Sequence, residues 1–209
     1  MAAAVGAALV RAGIDQVFGV VGSGNFDVTN AMIAAGARYA AARHETGAAT
    51  MADAYARMST AGVAAVSLHQ GCGLTNALTG ITEAAKSRTP LVVVTAEATQ
   101  PRSNFFVDQP ALATAVGAVS LRVASAEEAP RLAADAVATA VQQRRTVLLN
   151  LPLDVQSLSA AQGIAPASVN RPLPPPAPAS ASRIRRRSAA GRRPAARRSA
   201  AAGRGSAAG

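Results

Sequence analysis

Cysteine is nearly absent from this chain of 209 residues, and its single thiol, Cys72, cannot close an internal disulfide. No Cys/His spacing suits a structural zinc either, and both absences point to a reducing, cytoplasmic setting. Long apolar runs are missing: none approaches the roughly eighteen residues that a membrane span takes. The opening MAAAVGAALVRAG is apolar but has no basic leader, and Arg11 interrupts it, so it reads as a helix rather than a signal peptide. Acidic residues are missing from 171–209, which hold ten arginines and no Asp or Glu, while residues 1–170 balance 11 basic against 11 acidic side chains. The net charge of +10 therefore belongs to the tail and says nothing about the rest. Large apolar residues fade after Asp154. Residues 156–182, with RPLPPPAPASAS, read as an extended Pro/Ala/Ser linker. Residues 183–209 contain only Arg, Ile, Ala, Ser, Gly and Pro, which cannot bury enough surface to fold and are expected to be disordered.

What is present, in residues 1–155, is a regular alternation. Strands are expected near Gln16–Val21, Ala37–Ala42, Gly62–His69, Pro90–Ala96, Val119–Val123 and Thr146–Leu151, with Ala-rich helices between them. The strands are nearly continuous apolar runs, the pattern of a parallel sheet covered on both faces. The expected fold is α/β, doubly wound, with a mostly parallel six-stranded sheet and helices on both faces. Ligands of such sheets sit beyond the carboxyl ends of the strands. That rule directs attention to three turns: GSGNF at 22–26, RHET at 43–46 and HQGCGLTN at 69–76.

Each turn has a functional and a plain reading. The glycine turn could cradle phosphate. A dinucleotide fingerprint would need glycine at 27, where Asp27 stands, and a tight turn with Ser23 or Asn25 capping the helix serves equally well. His69 ends an apolar strand, which suits either a structural or a chemical role, whereas Cys72 reads as a small buried filler. In RHETGAATMADAYAR, Ala48, Met51, Ala52 and Tyr55 define one buried helical face, and Asp53 and Arg57 form an i,i+4 pair expected to be solvated. Glu45 projects from the apolar face. Desolvation there favours a protonated carboxyl, the mark of a functional group rather than a mere partner of the helix dipole.

Together, VFGVVGSGNF, RHETGAATMADAYAR and HQGCGLTNALTGITEAAKSRTPLVVV resemble the N-terminal pyrimidine-binding domain of thiamine diphosphate enzymes. The group is that of acetolactate synthase, pyruvate decarboxylase and benzoylformate decarboxylase, and the likeness runs over about residues 5 to 155. The resemblance implies that Glu45 hydrogen-bonds N1′ of the cofactor's aminopyrimidine and favours the tautomer whose 4′-nitrogen deprotonates the thiazolium. It also implies that Val21, Gly22 and Asn76 line the cofactor, that Ser23 is a substrate-side residue, and that His69 relays protons as in benzoylformate decarboxylase-like members. Acetolactate synthases carry GPG where this chain has HQGCG, which leaves the 2-oxo acid open between pyruvate and a decarboxylase substrate. RSNFFVDQ, at 102–109, corresponds roughly to a loop of the synthases, but its glutamine is out of register and receives no role.

Family members also carry a GDG…N motif that holds Mg²⁺ and the diphosphate, and some synthases carry FAD on a central domain. No GDG occurs in these 209 residues. The expectation is a truncated enzyme offering half a site and inactive alone. It would be completed by a homo-oligomer partner or a separate diphosphate-binding domain or subunit. The tail reads as translation of GC-rich DNA out of frame in preference to a nucleic-acid-binding arm, because no aromatic is interleaved with its arginines.

Overall fold

The computed structural model describes residues 1–158; beyond its first three residues, the stretch expected to be linker and tail lies outside them. Six strands form one sheet: β1 (Gln16–Gly19), β2 (Arg38–Ala41), β3 (Ala64–Leu68), β4 (Leu91–Glu97), β5 (Val119–Arg122) and β6 (Thr146–Pro152). Every pairing is parallel, in the order β2-β1-β3-β4-β6-β5. The helices are α1 (Ala2–Arg11), α2 (Phe26–Ala34), α3 (Glu45–Met58), α4 (Cys72–Lys86), α5 (Gln109–Ala115), α6 (Ala129–Gln143) and α7 (Leu153–Gln156). The doubly wound α/β fold expected from the apolar runs is the fold observed.

The continuous runs hide a period of two. In β4, Leu91 and Val93 enter one apolar cluster while Val92 and Val94 enter the other; in β6, Leu148 faces the first and Val147, Leu149 and Leu151 the second. Both faces are therefore core, which is why no polar alternation appears in the sequence. The edge strands β2 and β5 are four residues long, half-exposed, and carry Arg38 and Arg122, which discourages pairing with another chain.

Chain direction decides which helix covers which face. Right-handed crossovers put helices on opposite faces when the chain steps in opposite directions along the sheet. The steps β1→β2 and β5→β6 run one way, and their helices α2 and α6 join α1 over one cluster. The steps β2→β3, β3→β4 and β4→β5 run the other way, and α3, α4 and α5 cover the second. The direction reverses between β1 and β3, and no crossover roofs the carboxyl ends of those two neighbours.

Helix α3 corrects the sequence reading. Its buried residues are Ala48, Ala49, Ala52, Asp53 and Ala56, whereas Met51 is 38% exposed and Tyr55 only half-buried. The reason is α4. A Cβ on Gly80 would lie 2.7 Å from the Ala49 Cβ, so the two helices meet along small residues and α3 turns its alanines to that seam. Asp53, expected to be solvated, is buried under the same contact at 7% exposure. Arg57 donates from Nε to its Oδ1 (2.9 Å) and to Thr89 Oγ1 (3.2 Å), and its Nη2 reaches Asp53 Oδ2 (2.8 Å) and Glu83 Oε1 (3.3 Å).

Candidate functional site

The three turns picked out by the strand-end rule converge where the winding reverses. From β2, the chain passes through His44, whose backbone stays extended (φ −154°, ψ 145°) and whose Nδ1 accepts the Thr46 N–H at 3.2 Å, capping α3. Glu45 follows as the first residue of α3, where the helix dipole favours a carboxylate. Asn76, one turn into α4, donates from Nδ2 to Glu45 Oε2 at 3.0 Å, and Thr46 Oγ1 donates back to the Asn76 carbonyl oxygen. The other carboxylate oxygen faces Gly73, where a Cβ would lie 3.8 Å from Oε1. Glu45 is half-buried, so the sequestration expected from its apolar neighbours is only partial: those neighbours lie further down the helix, and its own position is at the open end.

His69 follows β3 and is tightly boxed. A Cβ on Gly22 would sit 2.8 Å from its Cγ and 2.9 Å from Nδ1, and one on Gly73 would sit 3.1 Å from its Cβ. The Gly24 N–H donates to Nδ1 at 3.3 Å. Phe105 stands edge-on to the ring, with centroids 5.2 Å apart and planes at 75°. Burial pushes the imidazole pKa below its ordinary value, and the carboxylate of Glu45 pulls it partly back. Gly73, close to both His69 Cβ and Glu45 Oε1, places the two side chains around one space.

Val21 and Ser23 are exposed beside Gly22 and Gly24. The structure thus brings Gly22, Glu45, His69 and Asn76 into contact with one another or with Gly73, and leaves Val21 and Ser23 at the rim. Cys72, expected to be a buried filler, is exposed at the start of α4. Asn25 occupies the cap position of α2 without capping it. Its side chain turns back instead, accepting from the Gly22 N–H (2.8 Å) and donating to Val20 O (3.2 Å) and Ser67 Oγ (3.0 Å). It locks the glycine turn onto β3.

Three residues without a role in the sequence reading support this edge. Phe105 is one. Gln109, 1% exposed, accepts the Gly71 N–H at 3.4 Å and donates to Asn150 Oδ1 at 2.8 Å, tying the β3–α4 turn to β6. Gln70 is buried against Gly24, and its Oε1 has no hydrogen-bond partner among the described residues. Only the loop RSNFFVDQ, set aside above, hinted at the first two. Among the described residues no three His, Cys, Asp or Glu side chains gather as metal ligands would, and no helix is long and apolar enough to cross a membrane.

With this geometry in hand, comparison with known proteins is specific. Residues 1–115 match the family model described as "Thiamine pyrophosphate enzyme, N-terminal TPP binding domain". The chain is 34% identical to the Pseudomonas aeruginosa protein named "Probable 2-ketoarginine decarboxylase AruI", over 80% of this chain and 32% of that one. It is 34% identical to the large subunit of acetolactate synthase isozyme 2 of Escherichia coli, over 73% of this chain and 28% of that one. Among solved structures, the thiamine diphosphate-dependent 4-hydroxybenzoylformate decarboxylase of Rhodococcus jostii RHA1 superimposes with a TM-score of 0.65 at 28% identity, covering 74% of this chain and 30% of that one. The chain thus spans about a third of the length of the relatives it matches. It belongs to the thiamine pyrophosphate enzymes of the acetolactate synthase and decarboxylase kind, and carries their N-terminal TPP-binding domain.

Proposed function

We propose that residues 1–158 form the aminopyrimidine side of a thiamine diphosphate site in an acetolactate synthase-like enzyme acting on a 2-oxo acid, pyruvate first among them. The observation that carries this reading is the Glu45 carboxylate: one oxygen is steadied by Asn76 at 3.0 Å, and the other faces a space that Gly73 leaves free. A flat heterocycle with a basic ring nitrogen fits such a group, because the free oxygen can share a proton with it. When bound, the cofactor supplies the nucleophilic carbon for the 2-oxo acid, and the protein tunes its electronics. Glu45 holds the proton at the ring nitrogen, Asn76 fixes the carboxylate's direction, and Val21 and Gly22 form the wall beside the ring. The diphosphate and its Mg²⁺ need charged ligands from another domain or subunit, supplied by a second copy or by a separate polypeptide.

A second reading, a benzoylformate decarboxylase-like enzyme, is favoured by one specific observation. His69 is packed into the glycine turn next to Ser23 and feels the charge of Glu45, so a proton donor stands where substrate would approach. In both readings Glu45→Gln is the decisive variant. Calorimetric titration of the chain with thiamine diphosphate should give weak binding that falls at least about tenfold in the variant, the loss of one charge-assisted hydrogen bond. Equal affinity in both proteins would remove the proposal.

A further inference from the structure

His69 is half-buried between three glycines and one aromatic side chain. Gly22, Gly24 and Gly73 are backbone walls. Phe105 comes from the loop between β4 and α5, 36 positions away in sequence. Two features seat that loop. Gly71 has a positive φ of 63°, and a Cβ there would collide with the Phe105 backbone, 2.9 Å from its Cα, so the loop closes on this turn only because the residue is glycine. The Gly71 N–H in turn binds Gln109, at the far end of the loop. Within the loop, Phe105 N donates to Ser103 Oγ at 3.2 Å and Phe106 N to Ser103 O at 3.0 Å, a turn that fixes where the ring points.

The hydrogen bond from Gly24 has a chemical consequence. A backbone N–H donates to Nδ1, so in the neutral imidazole Nδ1 is the acceptor and Nε2 carries the proton. We propose that Phe105 is a positioning residue: by covering the ring edge-on, it presses His69 onto the Gly24 amide, so that Nδ1 is committed to the backbone and Nε2 alone is free to exchange a proton with substrate. The inference rests on the reading of His69 as a substrate-side proton donor. Its physical core, a ring locked in one tautomer, stands without it. Of the charged groups among the described residues, Glu45 of α3 is the one that acts on the ring.

The chain has only two histidines, so long-range ¹H–¹⁵N spectra of the full-length, ligand-free protein resolve both rings, and His69→Gln identifies the one of interest. In the wild type, His69 should show a protonated Nε2, without the Nδ1-protonated form that unconstrained imidazoles also populate. Phe105→Ala should bring that form back and move the titration midpoint up toward the ordinary histidine value, because the cover that desolvates the ring is gone. Phe105→Tyr should keep the wild-type pattern. A folded Phe105→Ala protein with unchanged tautomer and midpoint would overturn the proposal, as would mixed tautomers in the wild type, a result that needs no variant. Titration with thiamine diphosphate is a separate readout: failure to bind it removes the assigned function and leaves the clamp to be judged by the spectra alone.

Discussion

Helix α3 meets the two edges of the sheet with different chemistry. At the amino edge its charged and phenolic neighbours are paired: Arg57 serves Asp53, Glu83 and Thr89, and Tyr55 donates to Asp15 (2.9 Å to Oδ2) while accepting from Arg38 (2.7 Å). Burial, then the bond to Asp15, raises the Tyr55 pKa, so the phenol stays a donor there. At the carboxyl edge, among the described residues, Glu45 has one hydrogen-bond partner, Gln70 Oε1 has none, and Ser23 and Val21 are exposed. Ion pairs gather at the edge away from the cleft, where among the described residues Ser59 Oγ is also left without a partner, while the cleft keeps Glu45 and Gln70 incompletely matched. That is the division expected of a domain whose ligand completes one edge.

The strongest way to break this comparison is to part the helices that link both edges. Gly80→Val forces a branched side chain onto Ala49 Cβ and the Thr50 backbone, so it should cost about 3 kcal/mol in urea denaturation and weaken cofactor binding as well. Asp53→Ala acts on the amino edge alone. It strips Arg57 of its buried partner and should cost about 2 kcal/mol, with cofactor affinity unchanged in the same titration. Asn76→Ala is the mirror experiment: the site is exposed, so stability should hold within about 0.5 kcal/mol, while affinity falls about fivefold as Glu45 loses its support. If Asn76→Ala destabilised the fold as much as Asp53→Ala, the two edges would not differ as described.

The smallest effect is in pH. Burial lowers the pKa of His69 from 6.5, so just below pH 6.5 the unfolded chain binds more protons than the folded one. Stability should therefore be flat above that value and decline as pH falls through the lowered one. Denaturation midpoints between pH 5.5 and 7.5, a range set by the ordinary histidine pKa, should show the slope in the wild type and lose it in His69→Gln.

Most of this fold was legible in the sequence, because apolar runs bounded by glycine, proline and charge mark strands whatever packs on them. Each strand boundary falls within two residues of its expected place. Glu45 and His69 were legible for a related reason: a polar residue directly at the end of a buried element needs an explanation. What could not be read were contacts that join distant segments. Asp53 looks like half of an exposed i,i+4 pair until Glu83 of α4 and Thr89 beyond it are brought to its partner Arg57. Asn25 looks like a helix cap until Ser67 arrives beside it, 42 positions away. Phe105 and Gln109 sat in a loop whose register against relatives was ambiguous, and only closure on Gly71 reveals their purpose.

The reversal in winding between β1 and β3 has a broader implication. A sheet built by stepping in one direction would lay a connection over each pair of neighbouring strand tips and leave no natural vacancy. The turn back at β2 creates an address between β1 and β3 that depends on connectivity and not on any particular side chain. Sequence drift can then rewrite the tenants, exchanging one set of turn residues for another, while the location of the cleft stays where the topology put it.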